Sequence, residues 1–113
     1  MSIAAKSVPN VTADKFNEKI AARTAKVGIL GLGYVGLPLA LLFSEQRFPV
    51  TGFDVDARKV DTLTKGGSYI VRIEPSEIQA AKASGFSATT DFSRISDMDA
   101  IIICVPTPLD EFR

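Results

Sequence analysis

The sequence predicts a doubly wound α/β domain, in which helices pack on a parallel β-sheet. Residues 27–30 form a short apolar segment that leads directly into a glycine-rich stretch and then into an apolar helical segment. Strand-like and helix-like segments then alternate along the chain, which is the order that builds parallel sheets. Residues 100–105 are apolar without alternation, as expected of a strand that is buried on both faces of such a sheet.

The individual elements follow from their start and stop signals. Pro38 falls in the first turn of the first helix of the domain, where proline is tolerated. Gly66 ends the second helix, Pro75 suits the first position of the third helix, and Gly85 follows the end of that helix. The predicted strands are residues 26–30, 49–53, 86–89 and 100–105, and the predicted helices are residues 34–47, 56–65 and 75–84.

The chain divides into a leader and one domain. Numbered along the chain, the predicted strands take the sheet order 3-2-1-4, and we expect the fold to be truncated after strand four. Residues 1–24 are polar and mixed in composition, and a helix over residues 12–23 would carry only a thin apolar stripe. We therefore predict that residues 1–24 form a leader, either flexible or a docking helix, and that residues 25–113 form the domain.

Three glycines carry the strongest functional signal. Gly31, Gly33 and Gly36 have the spacing Gly-x-Gly-x-x-Gly between the first strand and the first helix, which is the dinucleotide-binding fingerprint. Gly31 makes the tight turn, Gly33 lets the backbone approach a pyrophosphate, and Gly36 lets the helix pack close to the strand. The amino terminus of the helix offers free N–H groups to the phosphates. Residues 25–113 are therefore expected to form a partial dinucleotide-binding domain of the Rossmann type.

Asp54 ends the second strand, close to the expected distance of about 20 residues beyond the first glycine. A carboxylate there accepts hydrogen bonds from the hydroxyls of the adenosine ribose and repels a 2′-phosphate, so NAD is favoured over NADP. The alternative is that Asp54 only ends the strand and starts a turn. Arg58 and Lys59 argue slightly for NADP, since a cation could bind the extra phosphate, although both could lie on a solvated helix face.

Several other positions allow two interpretations. Residues 105–109 follow the last strand at the switch point of the sheet, where they could line a ligand or only terminate the strand. Cys104 lies in an apolar run, which favours a small core side chain over a nucleophile. Glu74 and Glu77 could form an acid–base pair or cap a helix start. Tyr34 could pack over a cofactor or cover the start of the first helix.

Composition narrows the class of protein. The length of 113 residues suits one domain, and the net charge of zero gives no reason to expect nucleic acid or a membrane surface as a partner. The single cysteine excludes an internal disulfide, and the absence of histidine removes the commonest metal ligand, so no metal site is expected. No apolar run is long enough to span a membrane and no signal peptide is present, so a cytoplasmic protein is expected.

Several stretches in combination resemble a known family. Three stretches resemble the amino-terminal domain of the UDP-glucose/GDP-mannose dehydrogenase family, namely residues 27–39, 52–56 and 103–109. Residues 67–70 and 86–92 resemble the branch that acts on UDP-N-acetylglucosamine or UDP-N-acetylmannosamine. The UDP-glucose branch usually carries Tyr-Glu-Pro-Gly between the second and third helices, where this chain has Ile-Glu-Pro-Ser.

The resemblance implies NAD as the cofactor and a full-length enzyme of nucleotide-sugar metabolism and polysaccharide biosynthesis. That enzyme would oxidise the C6 alcohol of a UDP-sugar, here a UDP-N-acetylhexosamine, to a uronate with two NAD and a water. The family's nucleophilic cysteine and sugar pocket lie in later segments, so this chain alone is expected to be inactive, with no catalytic residue. The resemblance assigns Gly33, Tyr34, Val35 and Gly36 to the pyrophosphate, Asp54 to the adenosine ribose, Lys59 to a basic cofactor contact, and Val105 and Thr107 to the nicotinamide side.

Two other functions stay open from the sequence. One is the NAD-binding part of a β-hydroxyacid-type dehydrogenase, which would carry a similar glycine loop. The other is a nucleotide-sensing module that performs no chemistry. A later Gly-x-Cys-x-Pro segment in the reading frame would favour the nucleotide-sugar dehydrogenase over both.

The last predicted strand, residues 100–105, has no predicted neighbour on its outer edge. An unpaired apolar strand edge is a template for pairing with another chain. We therefore expect a homo-oligomer or self-association through strand four, or else the leader helix of residues 12–23 folded over that edge.

Overall fold

The computed structural model describes residues 2–5 and 11–104. The elements of the domain begin and end within two residues of their predicted boundaries, and Pro38 lies in the first turn of its helix as expected. In chain order the elements are β1 (Ser2–Ala5), α1 (Val11–Ala22), β2 (Val27–Leu30), α2 (Gly36–Glu45), β3 (Val50–Phe53), α3 (Ala57–Thr64), α4 (Pro75–Ala83), β4 (Phe86–Thr89), a 3₁₀ helix (Phe92–Asp97) and β5 (Ala100–Ile103).

The sheet has five strands in the order β1-β5-β2-β3-β4. β4, β3, β2 and β5 are successive parallel neighbours, which confirms the predicted order 3-2-1-4 for the strands of the domain. The chain leaves β2 toward β3 and β4 and returns on the other side of β2 as β5. The switch point of the sheet, where ligands of such folds bind, therefore lies at the carboxyl ends of β2 and β5.

β1 covers the outer edge of β5. The two strands are antiparallel, in a register that joins Ser2 to Ile103 and Ala5 to Ala100. The prediction that this edge has no neighbour is wrong, because a strand of the leader pairs with it. Residues 2–5 read Ser-Ile-Ala-Ala, with one β-branched residue, so their local preference for a strand is weak. With the edge paired inside the chain, self-association through β5 has no support in the structure.

The core lies on one face of the sheet, against α2, α3 and α4. The strand register places Val27, Val50, Phe86 and Ala100 in one row across this face, and all four are buried. Side chains alternate between faces along a strand. The next row on the same face includes Ile29, which is also fully buried.

The opposite face is covered less completely. Over β2 and β3 it is covered by the region of the 3₁₀ helix, where the rings of Phe53 and Phe92 lie 5.7 Å apart. Toward β5 the cover is thinner, and Ile103 is 37% exposed. The expected burial of the last strand on both faces therefore holds for only one face, because the helices packed against the sheet lie on that side.

Asp99, just before β5, joins α1 to the sheet. Its Oδ1 lies 2.8 Å from Lys19 Nζ, and its Oδ2 accepts the backbone N–H of Lys26 at 2.8 Å. Partial burial opposes ionisation of Asp99, but the hydrogen bonds from Lys19 and Lys26 outweigh it and lower the pKa of this carboxyl below its ordinary value. One ionised side chain thus connects α1 with the start of β2.

Replacement of that carboxylate should destabilise the fold in a pH-dependent way. Asp99→Asn is expected to lower the free energy of unfolding by about 1–3 kcal/mol at neutral pH, because hydrogen bonds to a charged group are lost. Since the folded-state pKa is lowered, the stabilisation is present above about pH 4 and is lost as the pH falls through the folded-state pKa. Urea unfolding should therefore give a lower free energy of unfolding for Asp99→Asn than for the unchanged protein at neutral pH. In acid, the two free energies should become equal.

Asp61→Asn is the matched control, because Asp61 of α3 forms an exposed ion pair with Lys65, the C-cap residue of that helix, at 2.9 Å. Such pairs contribute little, so we expect a change below about 0.5 kcal/mol. A destabilisation by Asp99→Asn that is equally large in acid would show that the charge of Asp99 is not its cause.

Candidate cofactor-binding site

A groove of about 650 Å³ opens at the carboxyl ends of three neighbouring parallel strands. Gly31 follows β2, Asp54 follows β3 and Cys104 follows β5, and all three line the groove. It therefore lies at the switch point that the sheet order predicts. Its volume is within the range of about 300–1,000 Å³ that is usual for sites of small molecules and cofactors. Tyr34, Val35, Lys59 and Phe92 also line it.

The glycine turn holds β2 and α2 in close contact. Gly31 has a φ of 98°, a conformation that disfavours other residues, and its N–H donates to the Phe53 carbonyl at 2.7 Å. A Cβ on Gly36 would lie 1.6 Å from the Gly31 carbonyl oxygen and 3.3 Å from Cys104 Cβ. The backbones of the turn and the helix therefore approach each other at a distance that only glycine permits.

Gly33 is the open position of the turn. A Cβ built on Gly33 would meet no other atom within 4 Å, and Gly33 lines the groove. The following helix has Val35 as its N-cap, and no side chain caps it. Leu37 donates its N–H to the Gly33 carbonyl at 3.1 Å, and Pro38 has no N–H. The N–H of Gly36 and the positive end of the helix are therefore what this helix start can offer to an anion.

Asp54 is fixed in place by the backbone around it. Its Oδ2 accepts the N–H of Leu32 at 2.8 Å, and its Oδ1 accepts the N–H of Asp56 at 2.9 Å. The carboxylate thus bridges the end of β3 and the glycine turn while it remains half-buried at the groove. Each carboxylate oxygen has a further lone pair, so Asp54 can still accept a hydrogen bond from a hydroxyl.

The two cations of α3 have different surroundings. Lys59 lines the groove, and its Nζ lies 5.7 Å from the centre of the Tyr69 ring. The side chain of Arg58 is 94% exposed and lies 3.6 Å from Asp56. Lys59 is therefore the cation that the structure brings to the predicted site, whereas Arg58 lies on the solvated face of the helix.

Tyr69 was not predicted as a site residue, yet it contacts the glycine turn. Its hydroxyl donates to the carbonyl of Leu32 at 2.5 Å. Burial, followed by the negative charges of Asp54 and Asp56, raises the pKa of Tyr69 well above its ordinary value. The only signal in the sequence is an aromatic residue with a polar end in the connection between α3 and α4, and no spacing rule links that connection to the turn.

The other candidate residues are Cys104, Glu74, Glu77, Val105 and Thr107. Burial raises the pKa of Cys104, which disfavours the thiolate and supports the interpretation as a core side chain. Glu77 accepts the N–H of Glu74 at 2.7 Å, which supports helix capping. Val105 and Thr107 lie outside the described residues. Within the described ranges, no acidic and cysteine side chains cluster as a metal site, and no helix is long and apolar enough to cross a membrane.

Comparison with known families decides what this site belongs to. Residues 25–113 match the model of the UDP-glucose/GDP-mannose dehydrogenase family, NAD binding domain. The chain belongs to this family. NAD is thus the cofactor of this UDP-glucose/GDP-mannose dehydrogenase domain, and neither a β-hydroxyacid-type dehydrogenase nor a separate sensing module is favoured.

Two curated relatives of this dehydrogenase domain act on UDP-N-acetylhexosamines. UDP-N-acetyl-D-glucosamine 6-dehydrogenase of Pseudomonas aeruginosa is 36% identical over 88 residues, which cover 78% of this chain and 20% of that protein. UDP-N-acetyl-D-mannosamine dehydrogenase of Escherichia coli K12 is 37% identical over 87 residues, which cover 74% of this chain and 20% of that protein. The chain therefore spans about a fifth of the length of the relatives that it matches.

Solved structures of the family share the fold. GDP-mannose dehydrogenase from Pseudomonas aeruginosa, in a ternary complex, has a TM-score of 0.63 and 34% identity over 76% of this chain and 20% of its own. NDP-N-acetyl-D-galactosaminuronic acid dehydrogenase from Methanosarcina mazei has a TM-score of 0.68 and 34% identity, and the match covers 85% of this chain and 23% of that chain.

Proposed function

We propose that this chain is the NAD-binding part of a nucleotide-sugar 6-dehydrogenase. The full enzyme would oxidise the C6 alcohol of a UDP-sugar to a uronate with two NAD. The UDP-sugar would be a UDP-N-acetylhexosamine. The reaction would take place in the cytoplasm and would serve polysaccharide biosynthesis. One observation carries the cofactor assignment: the groove holds the open backbone of Gly33 beside the fixed carboxylate of Asp54. The names of the curated relatives support the sugar class.

The residues of the groove fit the parts of NAD. Gly31, Gly33 and Gly36 shape a turn that leaves space for a pyrophosphate, and the uncapped start of α2 offers it the N–H of Gly36. Asp54 would accept the ribose hydroxyls, and Lys59 would lie near the negative charge of the phosphates. We assign Tyr34 and Val35 to the pyrophosphate segment, and Val105 and Thr107 to the nicotinamide side.

Bound NAD supplies a hydride acceptor, and the described residues bind and orient it. The fixed carboxylate of Asp54 would accept hydrogen bonds from the ribose, and the glycine turn would hold the phosphates at the switch point of the sheet. We propose further that residues 25–113 are the unit that performs this binding. Residues 1–24 then form a leader that docks on this unit, since β1 pairs with β5 and Lys19 of α1 pairs with Asp99.

A titration with NAD and NADP tests the cofactor assignment. We expect NAD to bind at least about tenfold more tightly, because the carboxylate of Asp54 repels a 2′-phosphate, and about 1.4 kcal/mol gives that ratio. Asp54→Asn should reduce the ratio of NAD affinity to NADP affinity, because the charge that repels the 2′-phosphate of NADP is removed. Isothermal titration or nuclear magnetic resonance with the 113-residue chain can measure both ligands.

Asp56→Asn is the control variant for charge. Asp56 caps α3 by accepting the N–H of Arg58 at 2.9 Å, and asparagine is an equally good N-cap. This variant loses the same charge close to the groove and should keep the preference for NAD. Equal or tighter binding of NADP by the unchanged protein would overturn the assignment of Asp54.

The sugar class is tested by NAD reduction with UDP-N-acetylhexosamines and UDP-glucose, in the protein expressed from the complete reading frame.

A further inference from the structure

We propose that Tyr69 is a positioning residue that sets the orientation of the Leu32–Gly33 peptide, and with it the N–H group that Gly33 presents to a phosphate. The inference rests on the proposed function of the groove as a pyrophosphate site. Tyr69 lies outside the glycine fingerprint, in the connection between α3 and α4, and it reaches the turn across 37 residues of sequence.

Leu32 is held on both sides by side chains from other elements. Its N–H donates to Asp54 Oδ2 at 2.8 Å, and its carbonyl accepts the hydroxyl of Tyr69 at 2.5 Å. The side chain of Leu32 is fully buried. Two hydrogen bonds and a core side chain thus fix the residue that precedes Gly33.

The peptide bond passes this constraint on to Gly33. Every peptide bond of the described ranges is trans, and in a planar trans peptide the C=O and the N–H point in opposite directions. When Tyr69 fixes the Leu32 carbonyl, it also fixes the Gly33 N–H on the opposite side. Glycine otherwise gives the backbone wide freedom. If the Leu32–Gly33 peptide rotated, the Leu32 carbonyl oxygen would lie on the side where the Gly33 N–H now lies. Its partial negative charge would repel a phosphate there.

Tyr69 is itself held well enough to act as such a clamp. Ile70 and Ile73 of the same connection are buried in the core, and the hydroxyl of Ser68 forms hydrogen bonds with the backbone of Ile70. Lys59 lies over the ring face of Tyr69, at 5.7 Å from its centre. A tyrosine hydroxyl is protonated, and so a donor, at neutral pH, and the raised pKa of Tyr69 extends that state to higher pH.

Tyr69→Phe removes the donor and keeps the ring. We expect ADP and ADP-ribose to bind about tenfold more weakly to this variant, as one hydrogen bond of this kind allows. Adenosine has no phosphate, and its affinity should change less than about twofold. Ser68→Ala is the matched control, because it removes a hydroxyl of the same connection whose hydrogen bonds stay within that connection. It should leave the ratio of ADP to adenosine affinity unchanged.

The amide resonance of Gly33 gives a second measurement that needs no ligand. In the unliganded Tyr69→Phe protein this resonance should be shifted or doubled, whereas in Ser68→Ala it should match the unchanged protein. An equal loss of affinity for ADP and adenosine, or an unaltered Gly33 resonance in Tyr69→Phe, would overturn the positioning role. Failure of the unchanged protein to bind ADP-ribose would instead overturn the proposed function, and the resonance would still decide the role of Tyr69.

Discussion

Gly36→Ala is expected to be the most destabilising single-methyl change in the cofactor site. The added Cβ would lie 1.6 Å from the Gly31 carbonyl oxygen and 2.8 Å from the Gly31 carbonyl carbon, and both are backbone atoms that cannot rotate away. The turn and α2 would have to separate, which also disturbs the buried core under the helix. We expect a loss of about 4 kcal/mol or more in the free energy of unfolding, measured by urea or thermal denaturation.

Gly33→Ala is the control for this prediction, because it adds the same atom to the same turn. Its Cβ would meet nothing within 4 Å, and Gly33 is not among the described glycines with a positive φ. We expect a change within about 1 kcal/mol. If the two variants are equally stable, the close contact between the turn and the helix does not exist in solution.

Gly33→Val is expected to leave the fold intact and to abolish NAD binding. The position is open on the protein side, so the larger side chain would occupy the space in front of the turn, where the pyrophosphate is proposed to lie. We expect a fall in NAD affinity of at least about a hundredfold, which corresponds to about 2.7 kcal/mol. Titration calorimetry gives the affinity, and circular dichroism with thermal denaturation verifies that the variant is folded.

The comparison of Gly33→Val with Gly36→Ala separates binding from folding. The first variant should lose the ligand and keep the fold, and the second should lose the fold. NAD binding by Gly33→Val at the affinity of the unchanged protein would show that the pyrophosphate does not approach this turn, and the cofactor pose would have to be abandoned.

The parts of the fold that the sequence predicts are those with local causes. The turn at Gly31 and the helix start at Pro75 depend on backbone preferences of single residues, and the structure has both where they were expected. β5 was predicted through its unbroken apolar run, and it ends at Ile103, two residues before the predicted end. The spacing after the glycines predicted Asp54 as a site residue, whereas Lys59 was predicted from the family resemblance, and both line the groove.

The parts that the sequence does not predict have non-local causes. β1 becomes a strand because β5 offers it a partner, and its own residues have little preference for that state. Tyr69 contacts Leu32 because α3 and the connection after it bring the two together, and no periodic pattern encodes such a contact. The roles of Val105 and Thr107 stay predictions that rest on the family resemblance.

The pairing of β1 with β5 also has a consequence for the order of folding. Ser2 pairs with Ile103, so the first described strand finds its partner only at the other end of the described chain. During synthesis the amino-terminal segment has to wait until β5 has emerged, while β2, β3 and β4 can already assemble. Closing so long a loop costs entropy that the remaining contacts must offset. Of the described strands, β1 is synthesised first and is therefore expected to join the sheet last.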